Sequence, residues 1–419
     1  MRLQPNLWAL ALLACLLSLA GHRSYAQAPA STPLTMQQAV DYALAHNPTV
    51  LAAQQNFLSM KGQEVQAGVR ANPNFTAYAI DLSNRAVDNS PNSFSLQVSR
   101  LFERGQKRRW RLDSARASTA QTEAQFHDQG RQTTLMVRQA FTSMLLAKAA
   151  LKLAQDNLRE YKQQLDINHT RFQSGDIGKL DYERLDLQLA QYESDESSAE
   201  MNLGQTSDQL QTLLGYDQPR RTFDITGNIV PPPLAATLTD LEQKALANRP
   251  DYQAAAAAVR VADANVKLAY ANGTTDPTLE GEYDRGGILS SYGFYVTVPI
   301  RIFDRNQGNK DTSKYLAQGS RFAEIAARNQ VYSDVDQAWI AYTTSKVLSD
   351  RYNGHYLAEA KDVLSIAQFA YQHGGLALID YLNALQDDRT TSLNALNSYA
   401  QTWMAIHQLS FASATNVGP

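Results

Sequence analysis

The sequence has 419 residues, with 38 Lys and Arg against 41 Asp and Glu, for a formal net charge of −3. A balance this close to neutrality argues against a nucleic-acid binder, which carries a basic surface. The single cysteine, Cys15, excludes a disulfide scaffold and any cysteine zinc site, and the length alone suggests two or three domains.

At the N-terminus Arg2 precedes an apolar run from Leu7 to Ala20 that is broken only by Ser18. The run is shorter than the roughly 20 residues that span a bilayer. With Ser24-Tyr25-Ala26 behind it, it reads as an export signal, residues 1–26, cleaved after Ala26. Cleavage after Ala28 would place Pro29 next, a poor substrate. Leu12-Leu13-Ala14-Cys15 weakly resembles a lipoprotein box, but the apolar run continues past it. No later stretch reaches 18 apolar residues, so any membrane span of the mature chain is a β-barrel.

Beyond the signal the chain repeats itself. Ala43-Leu44-Ala45-His46-Asn47-Pro48 returns as Ala245-Leu246-Ala247-Asn248-Arg249-Pro250, and Leu101-Phe102-Glu103-Arg104-Gly105-Gln106 as Ile302-Phe303-Asp304-Arg305-Asn306-Gln307. Phe172-Gln173-Ser174-Gly175, followed by Leu180-Asp181-Tyr182, returns as Tyr371-Gln372-His373-Gly374, followed by Ile379-Asp380-Tyr381. The spacing predicts repeats over 27–216 and 236–412, a linker over 217–235 and a flexible tail over 413–419.

Each repeat opens on a helix that ends near a proline; in the first, Asn47 is placed to cap and Pro48 to take the first helical position. Strands are predicted over 74–82 and 93–102, then over 278–284 and 292–302, from alternations such as Phe94, Leu96 and Val98 against Ser95, Gln97 and Ser99. Strands of about ten residues suit a barrel wall. Phe75, Tyr78, Phe94, Tyr283, Tyr292, Phe294 and Tyr295 are candidates for its interfacial girdles, with their facing left open. Pro299 sits near a strand end, where a missing donor is tolerated. In the linker, Phe223, Ile225 and Ile229 are candidates for a short strand.

Long helical hairpins follow over about 106–214 and 308–411, their tips at Gly175 and Gly374. The segment 106–174 contains no proline and one glycine, Gly130, and would run for roughly 100 Å as a helix. Val137, Ala140, Met144, Ala147, Leu151, Ala154, Leu158, Tyr161 and Leu165 alternate steps of three and four, a coiled-coil seam. Heptads alone would favour a helical rod or a periplasmic coiled-coil scaffold. The strand pairs argue otherwise, because a lone hairpin is marginal and needs partners.

These landmarks resemble the TolC-like outer-membrane efflux protein family over nearly the whole mature chain. The run from Pro299 to Gly308 is similar to the CzcC-type branch, which serves heavy-metal cation efflux pumps. The resemblance implies a mainly α fold with a small β part. Four strands per protomer would join a trimeric 12-stranded outer-membrane barrel, continued by a periplasmic α-helical barrel.

The resemblance also implies a function and partners. The protein would be the passive exit duct of a tripartite pump, a homotrimer working with a periplasmic adaptor and an RND-type inner-membrane transporter, its barrel in outer-membrane lipid. Divalent metal cations are the implied cargo, with small organic molecules or type I secretion as alternatives. The tips Ser174, Gly175, Asp176, Ile177 and His373, Gly374, Gly375, Leu376 would meet the adaptor. Asp380 and Asn383 match an acidic constriction at the inner end, Asn383 replacing its second acid. Tyr371 and Asp181 match positions that hold that end shut. No phosphate-binding loop, nucleophile elbow or paired metal-ligand histidines occur, so neither an enzyme nor a cofactor or metal site is expected. Acidic pairs such as Asp195-Glu196 and Asp387-Asp388 read as solvated helix faces.

Overall fold

The computed structural model describes residues 33–80 and 93–418. The expected signal segment, Cys15 and the turn after the first strand lie outside the described residues. Helix α1 (Met36–His46) starts in a capping box in which the Thr35 hydroxyl accepts from the Gln38 N–H and the Gln38 side chain accepts from the Thr35 N–H. As the sequence suggests, Asn47 then caps α2 (Pro48–Ala67), its side-chain Oδ1 accepting from the Thr49 and Val50 N–H groups with Pro48 at the first position. Strands β1 (Asn74–Ile80) and β2 (Ser93–Leu101) follow, then α3 (Lys107–Gln173) and α4 (Lys179–Leu214).

The same order runs again as α5 (Leu238–Asn248), α6 (Pro250–Asn272), β3 (Thr278–Gly286), β4 (Leu289–Thr297) and α7 (Gln307–Arg351). A π turn (Tyr352–Tyr356) joins α7 to α8 (Leu357–Gln372), and α9 (Leu378–Ser413) completes the second hairpin. The first hairpin has no such interruption in α3. Entry to α3 requires glycine at Gly105, where φ is +68° and a Cβ would stand 2.3 Å from Thr274 Oγ1. Among the described residues, no helix is long and apolar enough to cross a membrane.

The four strands form one antiparallel sheet in the order β1-β2-β3-β4. Its register sorts the two faces. Ser95, Gln97 and Ser99 lie opposite Asp284, Glu282 and Glu280, with Tyr78 opposite Ser95 and Tyr295 opposite Glu280. Phe75, Phe94, Leu96, Val98, Tyr283, Tyr292, Phe294 and Val296 occupy the other face. Of the seven candidate girdle aromatics, Tyr78 and Tyr295 therefore belong to the polar face and the other five to the apolar one. Strand β4 begins and ends earlier than the expected 292–302. It stops at Thr297, two residues before Pro299, which has no N–H to extend a ladder.

The helices pack in three apolar clusters. One joins Ala39, Val40 and Ala43 of α1 to Val137, Phe141 and Met144 of α3, the end of α4, and Ile225. The linker strand reduces to one parallel bridge, Leu34 with Ile225, while Phe223 and Ile229 pack beside it. The second joins α5, α7 and the end of α9. The tail from 413 to 418 is not free as expected: the Thr415 N–H donates to Ser410 O at 3.2 Å, and Val417 packs on the second cluster. The apolar Val417 gives the segment something to bury, which composition alone concealed. The third cluster lies at the hairpin ends and is described below.

Between α3 and α9, buried His407 meets Thr142, with Nε2 and Oγ1 2.9 Å apart. Burial, with Arg138 adding to it, pushes the imidazole down to about 3 from 6.5. The unfolded chain takes up this proton as pH falls through about 6.5, but the folded chain does so only near 3. Stability from this group is complete above that window and is lost as pH falls across it. His407→Gln is expected to remove roughly 2 kcal/mol of the stability lost between pH 7.5 and 5, measured as unfolding free energy against pH.

Candidate functional site

Both hairpin tips use the same backbone device. Gly175 (φ +82°) and Gly374 (φ +72°) follow the helices in the left-handed conformation that glycine adopts without strain. The Asp176 N–H donates to Arg171 O at 2.8 Å and the Gly375 N–H to Ala370 O at 2.8 Å, satisfying the last carbonyls. The Ser174 hydroxyl donates to Thr170 O at 2.9 Å, and His373 Nδ1 lies 2.8 Å from Phe369 O, so both side chains fold back on their own helix. Ser174, Gly175, Asp176, His373, Gly374 and Gly375 are exposed, whereas Ile177 and Leu376 are half-buried. The tips thus present bare backbone and one half-buried apolar side chain each, with the exposed Asp176 added in the first.

Above the tips, the ends of α3, α4, α8 and α9 close into one bundle. Tyr161, Leu185, Tyr192, Tyr371, Leu378, Tyr381 and Ala384 are its buried residues, with Leu158 and Ala367. The aromatic pairing is duplicated: Phe172 stacks on Tyr182 at 5.1 Å, and Tyr371 on Tyr381 at 5.0 Å. The Tyr371 hydroxyl donates to Asn168 Oδ1 at 3.1 Å, tying α8 to α3. Burial raises this hydroxyl above its usual range, with Arg171 opposing and Asp181 adding. Asp181, half-buried in the first turn of α4, is an electrostatic neighbour of Tyr371 rather than its hydrogen-bond partner.

Asn168 escaped the sequence reading, although a signal existed. It is the next step of the seam that ends at Leu165, and a polar residue at a seam position is a common register device. Asp195 likewise is not simply a solvated face, since it pairs with Arg389 across the two hairpins. Asp388 has a buried carboxylate oxygen with no partner among the described residues, and burial raises its carboxyl despite Lys361. Asp380 and Asn383 lie exposed on α9, off the row Leu378, Tyr381 and Ala384 that faces the bundle. That leaves them free to face a passage. No His, Cys, Asp or Glu group suited to a metal converges among the described residues.

The sheet supplies the other half of the site. Glu282 accepts hydrogen bonds from the Tyr78 hydroxyl at 2.8 Å and the Ser95 hydroxyl at 2.7 Å, and Glu280 from the Gln97 amide. With Asp284 these carboxylates make an acidic row along β3 on the polar face. A sheet with one apolar and one acidic face, carried on long helical hairpins, has the two-sided chemistry that a strand set in a membrane barrel requires.

Comparison with known proteins agrees. Residues 39–216 match the family described as outer membrane efflux protein. The cobalt-zinc-cadmium resistance protein CzcC of Cupriavidus metallidurans is 24% identical over 378 residues, covering 90% of this chain and 89% of that protein. The cation efflux system protein CusC of Escherichia coli is 24% identical over 263 residues, 59% of this chain and 56% of that one. A crystal structure of CusC superposes with a TM-score of 0.78 at 21% identity, covering 93% of this chain and 95% of that chain. The open-state MtrE outer-membrane channel of Neisseria gonorrhoeae gives 0.75 at 18% identity, covering 91% and 89%. Residues 39–216 thus carry the outer membrane efflux protein pattern, and the whole chain has the fold of the TolC-like channels. Its place is the Gram-negative outer membrane, with the helices extending into the periplasm.

Proposed function

We propose that this channel is the exit duct of a tripartite pump for divalent heavy-metal cations. The observation that carries the cargo is the acidic row Glu280, Glu282 and Asp284 on the polar face of the sheet. Carboxylates along a narrow, poorly screened passage concentrate cations and repel anions. The names of CzcC and CusC, both metal or cation efflux proteins, point the same way. Three copies close the four strands into a 12-stranded barrel, which removes the free edges of β1 and β4. The repeats over 27–216 and 236–412 each supply half of the protomer's strands and one hairpin. The protein catalyses no reaction: an RND-type inner-membrane transporter provides the energy, and a periplasmic adaptor docks at the tips around Gly175 and Gly374.

Asp380 and Asn383 line the inner constriction in this reading, and Tyr371 with Asp181 help hold it closed. Deleting the gene is expected to sensitise cells to zinc, cobalt, cadmium or copper. Unchanged metal tolerance together with greater sensitivity to dyes and antibiotics would replace metal cargo by organic cargo. Asp380→Ala is expected to lower cation selectivity and divalent-ion block in planar bilayers by several-fold. Unchanged selectivity and block would remove Asp380 from the constriction.

A further inference from the structure

Far from both the sheet and the tips, a cavity of about 260 Å³ opens between α3, the α5–α6 junction and the end of α9. Arg131 and Arg138, two turns apart on α3, both line it. The charge of Arg131 is answered: it pairs with Asp128 and Asp251, donates to Phe411 O at 2.7 Å and covers the Phe411 ring. Arg138 is different. Its Nε is buried without a partner, and it forms no ion pair among the described residues. Burial alone accounts for the lowering of its guanidinium from the usual range, with no carboxylate opposing it. No Asp or Glu lines the cavity, whereas Asn248 and Asn416 do.

The Arg138 side chain is half-buried, and its orphaned Nε has lost water without gaining a counter-charge, a cost that a ligand oxygen in the cavity would offset. His407, also on the wall, is held neutral by burial and adds no charge to the site. The planar fork of arginine matches carboxylate and phosphate oxygens. We propose that this cavity binds an oxyanion, a carboxylate or a phosphate, on Arg138 with Asn248 and Asn416 as amide donors. The bound group ties α3 to the end of α5 and to the segment after α9. The oxyanion comes either from solution or from an acidic side chain of a second copy of the chain, and one experiment separates these sources.

Full-length protein in detergent is melted in dilute Tris with inorganic phosphate or succinate, ionic strength being matched by sodium chloride. A saturable rise in Tm is expected for the wild type. Arg138→Met should weaken the response about 10- to 100-fold while remaining folded, because it removes the uncompensated charge and retains an apolar stem. Asn416→Ala, which keeps the guanidinium, should weaken it by less. If neither anion shifts the wild-type Tm but Arg138→Met promotes dissociation in sedimentation, the oxyanion belongs to a neighbouring copy. Identical anion responses and identical self-association for wild type and Arg138→Met would overturn the proposal.

Discussion

Arg249→Ala is expected to destabilise the protein by about 3–5 kcal/mol, the loss typical of removing one partner from a buried ion network. The Arg249 side chain is 3% exposed and reaches Asp251 and Asp334, the latter at 2.8 Å. It also donates to Ala412 O at 3.4 Å. The first half of the chain solves the same problem without charge: Asn47 caps α2 and donates to Leu213 O at 2.8 Å. In the second half a guanidinium replaces the amide, so Asp251 and Asp334 are needed to answer it. Burial raises the Asp251 carboxyl, but Arg249 and Arg131 outweigh this and hold it below the usual range. That contribution is present above the ordinary carboxylate range and is lost as pH falls through the lowered value. Denaturant midpoints at neutral pH check the main effect. A loss below about 1 kcal/mol would mean that the network behaves as a solvent-screened pair.

The second large effect is expected at Tyr381. The ring is 2% exposed and stacked on Tyr371 at the centre of the four-helix tip bundle. Truncation to alanine should cost the bundle about 3–5 kcal/mol through the cavity it leaves. If that bundle holds the inner end shut, Tyr381→Ala channels should show raised conductance in planar bilayers, whereas Tyr381→Phe, which keeps the ring, should stay near wild type. Tyr182→Ala removes the matching ring of the first tip, but Tyr182 is only half-buried, so a smaller change is expected. Equal conductance for wild type and Tyr381→Ala, with the protein inserted and folded, would place the constriction elsewhere.

What was legible in the sequence was local. Heptad steps, the caps at Asn47 and Pro48 and the tip glycines each act within one or two helical turns, and these features appear where they were expected. Strand alternation located the strands but not their sidedness, because face depends on register, and Tyr78 joins the polar side only through its pairing with Ser95. The missed contacts are those between distant segments. Tyr371 with Asn168 and Arg389 with Asp195 each join residues about 200 positions apart. A carboxylate on a helix looks the same in sequence whether water or a distant guanidinium faces it. Val417 shows the converse, an apolar residue in a polar tail that finds a core only once α9 has been placed.

The π turn at Tyr352–Tyr356 separates two quantities that an ordinary helix locks together. In an α-helix each added residue advances the chain by about 1.5 Å and rotates it by about 100°. A π turn accommodates roughly one residue more than its α counterpart, so everything beyond it emerges out of phase with a continuous helix. Tyr371 lies beyond that turn and points inward to Asn168, whereas Phe369, two positions earlier, points out. An unbroken helix of the same length would carry Tyr371 about a quarter-turn from its acceptor. The irregularity therefore works as a phase correction, allowing two hairpins of nearly equal length to arrive at one bundle with different faces forward.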